Sequence, residues 1–230
     1  GVRGAVVAAM VSPGLCIVAY LFLLRRDVGF PLTCSRGAFK DALTFGVQGH
    51  LGSVLQFLNY RLDMFMVSFF TGAADLGYYT VAVSLAEMLW YLPDAAGFVL
   101  FPKAASAEPE AARRFTPKVA RLLLFITALA AVGLFLVSRP LIVTLYTKQF
   151  LPALRPLWVL LPGVVALSYS KVIFSDLSGR GKPYYGTLAS LVSVVLTLGL
   201  NPLLIPRWGI IGAAVVSSLA YAANAAAAVV

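Results

Sequence analysis

Charge is what this 230-residue chain has least of. Asp, Glu, Lys and Arg make up 12% of it, while 60% is hydrophobic. A soluble domain averages about 25% charged and about 45–50% apolar residues, so an ordinary water-soluble core is excluded. Histidine is nearly absent: His50 is the only one, which excludes a His-based catalytic or metal site. Of the two cysteines, Cys16 lies in an apolar run and Cys34 in a basic loop. Neither a disulfide nor a metal-ligand spacing is expected. The acidic cytoplasmic motif or large exterior loop of a membrane glycosyltransferase or polymerase is missing. No enzyme, no catalytic residue and no cofactor site are therefore read. The turn over residues 179–183 has the wrong spacing for a phosphate loop and follows no strand; it reads as a helix end. The chain opens on Gly1 without a charged leader or cleavage site, so its first apolar run is not a signal peptide. A longer membrane protein, of which this is a piece lacking its N-terminal part, is the expectation.

What is present is a series of apolar runs, each near the ~20 residues that a membrane helix needs. They cover residues 5–24, 39–70, 76–101, 119–137, 154–177, 184–205 and 210–230. The fold class is thus all-α: a polytopic membrane protein of about seven transmembrane helices. Breaks are expected at Pro93, at Ser138-Arg139-Pro140 and at Pro206-Arg207-Trp208, with a turn over residues 71–77. A polar connector fills 104–118, and Gly46, Gly49 and Gly52 form a small-residue stripe for close helix contact. The net charge of +9 does not form one basic stripe, so nucleic acid is not a partner. Instead, eleven Lys and Arg fall in the loops of one side and five in those of the other. Cytoplasmic loops carry the excess, which points the second run outward and puts the 71–77 turn outside.

Six ionisable residues lie in or near these runs: Arg61, Asp63, Glu87, Asp94, Lys171 and Asp176. Each costs roughly 2.5–3.5 kcal/mol at a helix centre, so they should face one another or a wet cavity. Arg61 and Asp63 are two positions apart, about 200° round a helix, and cannot share a direction. Arg61 reads as a cavity cation or a snorkelling anchor, and Asp63 as a substrate contact or a structural partner. Glu87, the deepest carboxylate, and Asp94, seven residues on along the same face, read as proton-coupling groups or as ion-pair partners. Lys171 could bind an anionic headgroup. Asp176 should pair with Arg180 one helical turn away. His50 is expected in a polar helix–helix contact, and Trp90 in packing or an interface belt.

Several stretches together resemble the polysaccharide-transport flippases of the multidrug/oligosaccharidyl-lipid/polysaccharide exporter superfamily. They are Asn59-Tyr60-Arg61-Leu62-Asp63, Leu76-Gly77-Tyr78-Tyr79-Thr80-Val81-Ala82, Leu100-Phe101-Pro102, Leu160-Leu161-Pro162-Gly163, Gly179-Arg180-Gly181-Lys182-Pro183 and Trp208-Gly209-Ile210-Ile211-Gly212-Ala213-Ala214. Each motif alone is weak; their order is fairly specific to the family. The resemblance implies two six-helix lobes around a central cavity. Residues 1–38 would be the last helix of the first lobe with an inter-lobe loop, and 39–230 the six-helix second lobe. It also implies alternating-access export of polyprenyl-pyrophosphate-linked oligosaccharide across the cytoplasmic (inner) membrane, among membrane lipids and beside polysaccharide polymerase and glycosyltransferases. Substrate contacts would fall to Arg61, Lys171 and Asp63, and proton coupling to Glu87 and Asp94. A cation-coupled multidrug-type antiporter of the same superfamily is the alternative.

Overall fold

A computed structural model describes residues 2–28, 35–106 and 109–228. Cys34 lies outside them, as do residues 107–108 of the polar connector. Among the described residues all regular structure is helical. Four stretches are long and apolar enough to cross a membrane: Ala73–Lys103, Phe115–Tyr146, Lys148–Gly179 and Tyr184–Ala227, with a shorter apolar helix at Val11–Leu23. The chain is an all-α polytopic membrane protein.

Two compact units divide at residues 44 and 45. The first holds α1 (Val2–Val28) and the start of α2 (Arg36–Thr71). Its described apolar side chains between Val11 and Leu23 are all exposed, as lipid-facing residues are.

The second unit comprises the rest of α2, then α3 (Ala73–Glu87), α4 (Tyr91–Ser106), α5 (Pro109–Tyr146), α6 (Leu154–Gly179) and α7 (Tyr184–Ala227). The turn expected over residues 71–77 shrinks to one residue. Gly72, at φ 91°, is the only non-helical position between α2 and α3, and its positive φ suits glycine alone. Between α3 and α4 lies a 3₁₀ turn, Met88–Trp90. The irregularity thus precedes Pro93 instead of sitting on it. Pro93 has no N–H for the Leu89 carbonyl, so the α ladder is interrupted in the turn before it.

One expected break is absent. α5 runs unbroken through Pro117 and Pro140. Hydroxyls bond back to carbonyls beside Pro140: Ser138 Oγ to Phe135 O at 2.7 Å and Thr144 Oγ1 to Pro140 O at 2.8 Å. Proline is tolerated in membrane helices where such groups adjust the backbone. The polar connector, likewise, is helical on both sides, in α4 and α5.

α7 is 44 residues long, or about 66 Å if straight, twice a bilayer core. It does not run straight, because Gly209 (φ 57°, ψ −140°) divides it into two arms. Ser193 Oγ donates to Ala220 O at 3.0 Å and accepts from Asn224 Nδ2 at 3.4 Å, so the arms lie against each other. α6 packs closely on the second arm. A Cβ on Gly163 would sit 2.5 Å from Ser218 Cα, a backbone atom with no room to yield. Gly163→Ala is therefore expected to destabilise by about 1–3 kcal/mol, read as a lower thermal midpoint of the purified protein. Gly46 has open space where its Cβ would be, whereas one on Gly52 would meet Thr187 Oγ1 at 2.7 Å. Of the small-residue stripe, Gly52 marks the close approach, to the first arm of α7.

Candidate functional site

A cavity of about 820 Å³ opens among α2, α4, α6 and α7. Its wall is written as stripes at helical spacing. α2 gives Gly52, Ser53, Gln56, Asn59 and Tyr60, and α6 gives Ser170, Lys171, Phe174, Ser175 and Ser178. α7 adds Thr187, Ser190 and Asn224, whereas α4 contributes Pro93, Gly97, Phe98 and Phe101, apolar except for Asp94. Hydroxyl and amide groups so dense in an apolar chain make a wall that can hydrogen-bond a polar ligand.

Lys171 and Asp94 are the charged groups of this wall among the described residues. Lys171 Nζ lies 2.7 and 3.0 Å from the two Asp94 carboxylate oxygens. The ammonium also stands 4.7 Å from the Trp90 ring centroid and 5.5 Å from that of Tyr60, two cation–π contacts. The Lys171 side chain is 11% exposed and that of Asp94 45%. Behind them Tyr60, Trp90 and Tyr221 form one aromatic cluster, with centroids 4.7, 5.7 and 6.1 Å apart. One helical turn along the same seam, Ser175 Oγ donates to Gly97 O at 2.9 Å. α4 is thereby tied to α6 twice on the face that lines the cavity.

Arg61, Asp63 and Glu87 are not in this wall. Arg61 Nη2 meets Glu87 Oε2 at 3.3 Å, with side chains 39% and 22% exposed. Asp63 points the other way, as their spacing requires, into a closed site. It is 1% exposed and accepts from Tyr79 Oη at 2.6 Å, Ser217 Oγ at 2.9 Å and its neighbour's Met64 N at 2.7 Å. Glu87 and Asp94, expected on one face, serve different partners because the 3₁₀ turn intervenes. Asp176 pairs with Arg180 at 2.6 Å and also accepts from Thr116 Oγ1 at 2.8 Å, pinning α5 to α6. His50 is exposed, not buried in a helix–helix contact. The 179–183 turn is a helix end: Lys182 N bonds Leu177 O and Gly181 N bonds Ser178 O, with Gly181 at φ 76°.

Sequence reasoning missed the polar side chains of the wall and the Trp90–Tyr60 backing of Lys171. A signal existed in the stripe of small and polar residues along α2, at positions 52, 53, 56, 59 and 60. It was overshadowed by the charges that follow it.

Comparison with known proteins decides the family. Residues 2–155 match the model of a family described as polysaccharide biosynthesis proteins. The chain belongs to that family. This family member is 28% identical over 219 residues to an uncharacterized membrane protein of Methanocaldococcus jannaschii, covering 89% of this chain and 42% of that one. It is 26% identical over 236 residues to the probable low-salt glycan biosynthesis flippase Agl15 of Haloferax volcanii, covering 94% and 49%. The chain thus spans about half the length of the curated relatives it matches. Its fold is that of the lipid II flippase MurJ in an inward closed conformation, with TM-score 0.68 and 17% identity over 93% of this chain and 47% of that one. An outward-facing multidrug resistance MATE family transporter shares it at TM-score 0.59 and 22% identity, over 80% and 42%. So does a MOP superfamily transporter of Pyrococcus furiosus, at TM-score 0.57 and 22% identity over the same shares.

Proposed function

We propose that this chain is the cavity-forming half of a flippase that moves polyprenyl-pyrophosphate-linked oligosaccharide across the cytoplasmic membrane by alternating access. The observation that carries this reading is Lys171: an ammonium set on aromatic rings, paired with Asp94 and turned to a cavity whose other polar groups are hydroxyls and amides. A pyrophosphate needs the cation, and sugar hydroxyls need the polar wall. The name of the Haloferax volcanii relative points the same way. Residues 39–230 would form the second lobe, with the matching lobe closing the cavity from the other side. Arg61, 39% exposed beside Glu87, supplies a second cation for the passage. Asp63 holds the helices around the passage and does not touch the substrate. Outward movement of an anion is favoured by an inside-negative potential, by about 2.3 kcal/mol per charge per 100 mV, and Glu87 or Asp94 would carry any coupled proton. Polymerase and glycosyltransferases are the partners that supply and consume such a substrate.

A proteoliposome assay with the full-length protein tests this. A fluorescent prenyl-diphosphate disaccharide should become accessible to an impermeant quencher in the second leaflet, at a rate that depends on the protein. A rate equal to that of protein-free vesicles sinks the proposal. Efflux of a cationic dye in the same vesicles would instead support the antiporter, with Glu87, Asp94 or Asp63 exchanging cations. Against that reading, each of these carboxylates already has a partner within this chain.

A further inference from the structure

We propose that Asp94 is a built-in competitor for Lys171, an internal anion that reserves the ammonium for diphosphates and refuses it to the phosphodiesters of ordinary lipids. The inference rests on the diphosphate reading above and goes beyond it by assigning the exclusion of weaker anions to one carboxylate.

The geometry separates a fixed partner from a movable one. Lys171 is 11% exposed and backed by Trp90 and Tyr60. Asp94, at 45% exposure, faces the cavity from the opposite helix. To gain more than one hydrogen bond from Lys171, an entering anion must take the place of Asp94, which accepts from it with both oxygens at 2.7 and 3.0 Å. The displaced carboxylate swings into the same cavity and regains water there. The Ser175–Gly97 bond one turn away keeps α4 on α6 meanwhile, so the exchange needs a side-chain rotation and no helix movement.

The exchange has a charge rule. A phosphodiester brings one negative charge, as does the carboxylate that it replaces, and gains nothing to offset the repulsion from Asp94 nearby. A diphosphate diester brings two charges and more acceptor oxygens, and charge-assisted hydrogen bonds are the strong ones. Phosphodiesters are the commonest anions in a bilayer, so a cavity with an unguarded lysine would be filled by them.

The test is calorimetric, on the full-length protein in neutral detergent, with three soluble probes: farnesyl diphosphate, inorganic pyrophosphate and dihexanoyl phosphatidylglycerol. The wild type should bind farnesyl diphosphate at least about tenfold more tightly than phosphatidylglycerol. In Asp94→Asn, phosphatidylglycerol and farnesyl diphosphate should each tighten about tenfold or more, so that phosphatidylglycerol fills the site at concentrations where the wild type holds only the diphosphate. Asp94→Ser serves if the asparagine variant does not fold, and Lys171→Gln should lose both ligands. Weakening of both ligands together in the Asp94 variants, or no change in either, overturns the inference, because Asp94 would then merely position Lys171. Wild-type protein that binds no diphosphate overturns the underlying reading itself. Inorganic pyrophosphate binding as tight as farnesyl diphosphate, with both lipid ligands still tightened in Asp94→Asn, upholds the exchange and overturns only the lipid-linked source.

Discussion

Replacing Lys171 with alanine in the full-length protein should cut transport of a prenyl-diphosphate saccharide to a tenth or less, at unchanged protein level. A hydrogen bond to a charged group is worth about 1.5–3 kcal/mol, roughly ten- to hundredfold in an equilibrium constant. Lys171 is the one cation in the cavity wall among the described residues, so no other described residue of that wall replaces it. The substitution leaves Asp94 unpaired, yet that carboxylate is 45% exposed and can be solvated, so the fold should survive. The double variant Lys171→Ala/Asp94→Asn should be as stable as wild type to within about 1 kcal/mol and still fail to transport. Lys171→Arg should retain part of the activity, since it keeps the charge but not the compact three-donor head. Wild-type transport rates in the alanine variant would remove the lysine from the mechanism.

Asp63→Ala should act on the opposite quantity, stability. Asp63 accepts from α2, α3 and the second arm of α7 at once, through Met64 N, Tyr79 Oη and Ser217 Oγ. Its side chain is 1% exposed, so water cannot stand in for it. Removing the acceptor strands buried donors, at about 3–5 kcal/mol in all. A thermal midpoint lower by about 10 °C follows for a protein of this size, or a loss of folded yield. Asp63→Asn keeps one carbonyl oxygen for Tyr79 or Ser217 and should recover more than half of the difference. A midpoint unchanged in the alanine variant would show that the three donors find other acceptors.

These two residues mark what the sequence could and could not disclose. The helical character of the apolar runs, the Asp176–Arg180 pair and the opposed directions of Arg61 and Asp63 are consequences of helix geometry within one segment, and these were legible; the run over residues 39–70 is helical too but is not among the four stretches apolar enough to cross a membrane. The partners of Asp63, Glu87 and Lys171 lie on other helices. Lys171 meets a residue 77 positions away and Asp63 one 154 positions away. No local rule couples such positions; only the packing of the bundle does. The mistaken break at Pro140 has another origin. In water the carbonyl that proline frees is solvated and the helix ends, whereas α5 absorbs Pro140 without a turn. The cavity was invisible because its wall consists of serines, threonines and amides, none of which stands out alone.

The single-residue bend at Gly209 has a consequence for how the chain is made. With no loop between its arms, the second half of α7 cannot be threaded independently of the first. The two must enter the bilayer as one preformed hairpin. The pairing of Ser193 with Ala220 and Asn224 is what holds such a hairpin together. Stiffening the bend with a side chain at position 209, where φ is 57°, would therefore act first on membrane integration and only afterwards on the finished protein.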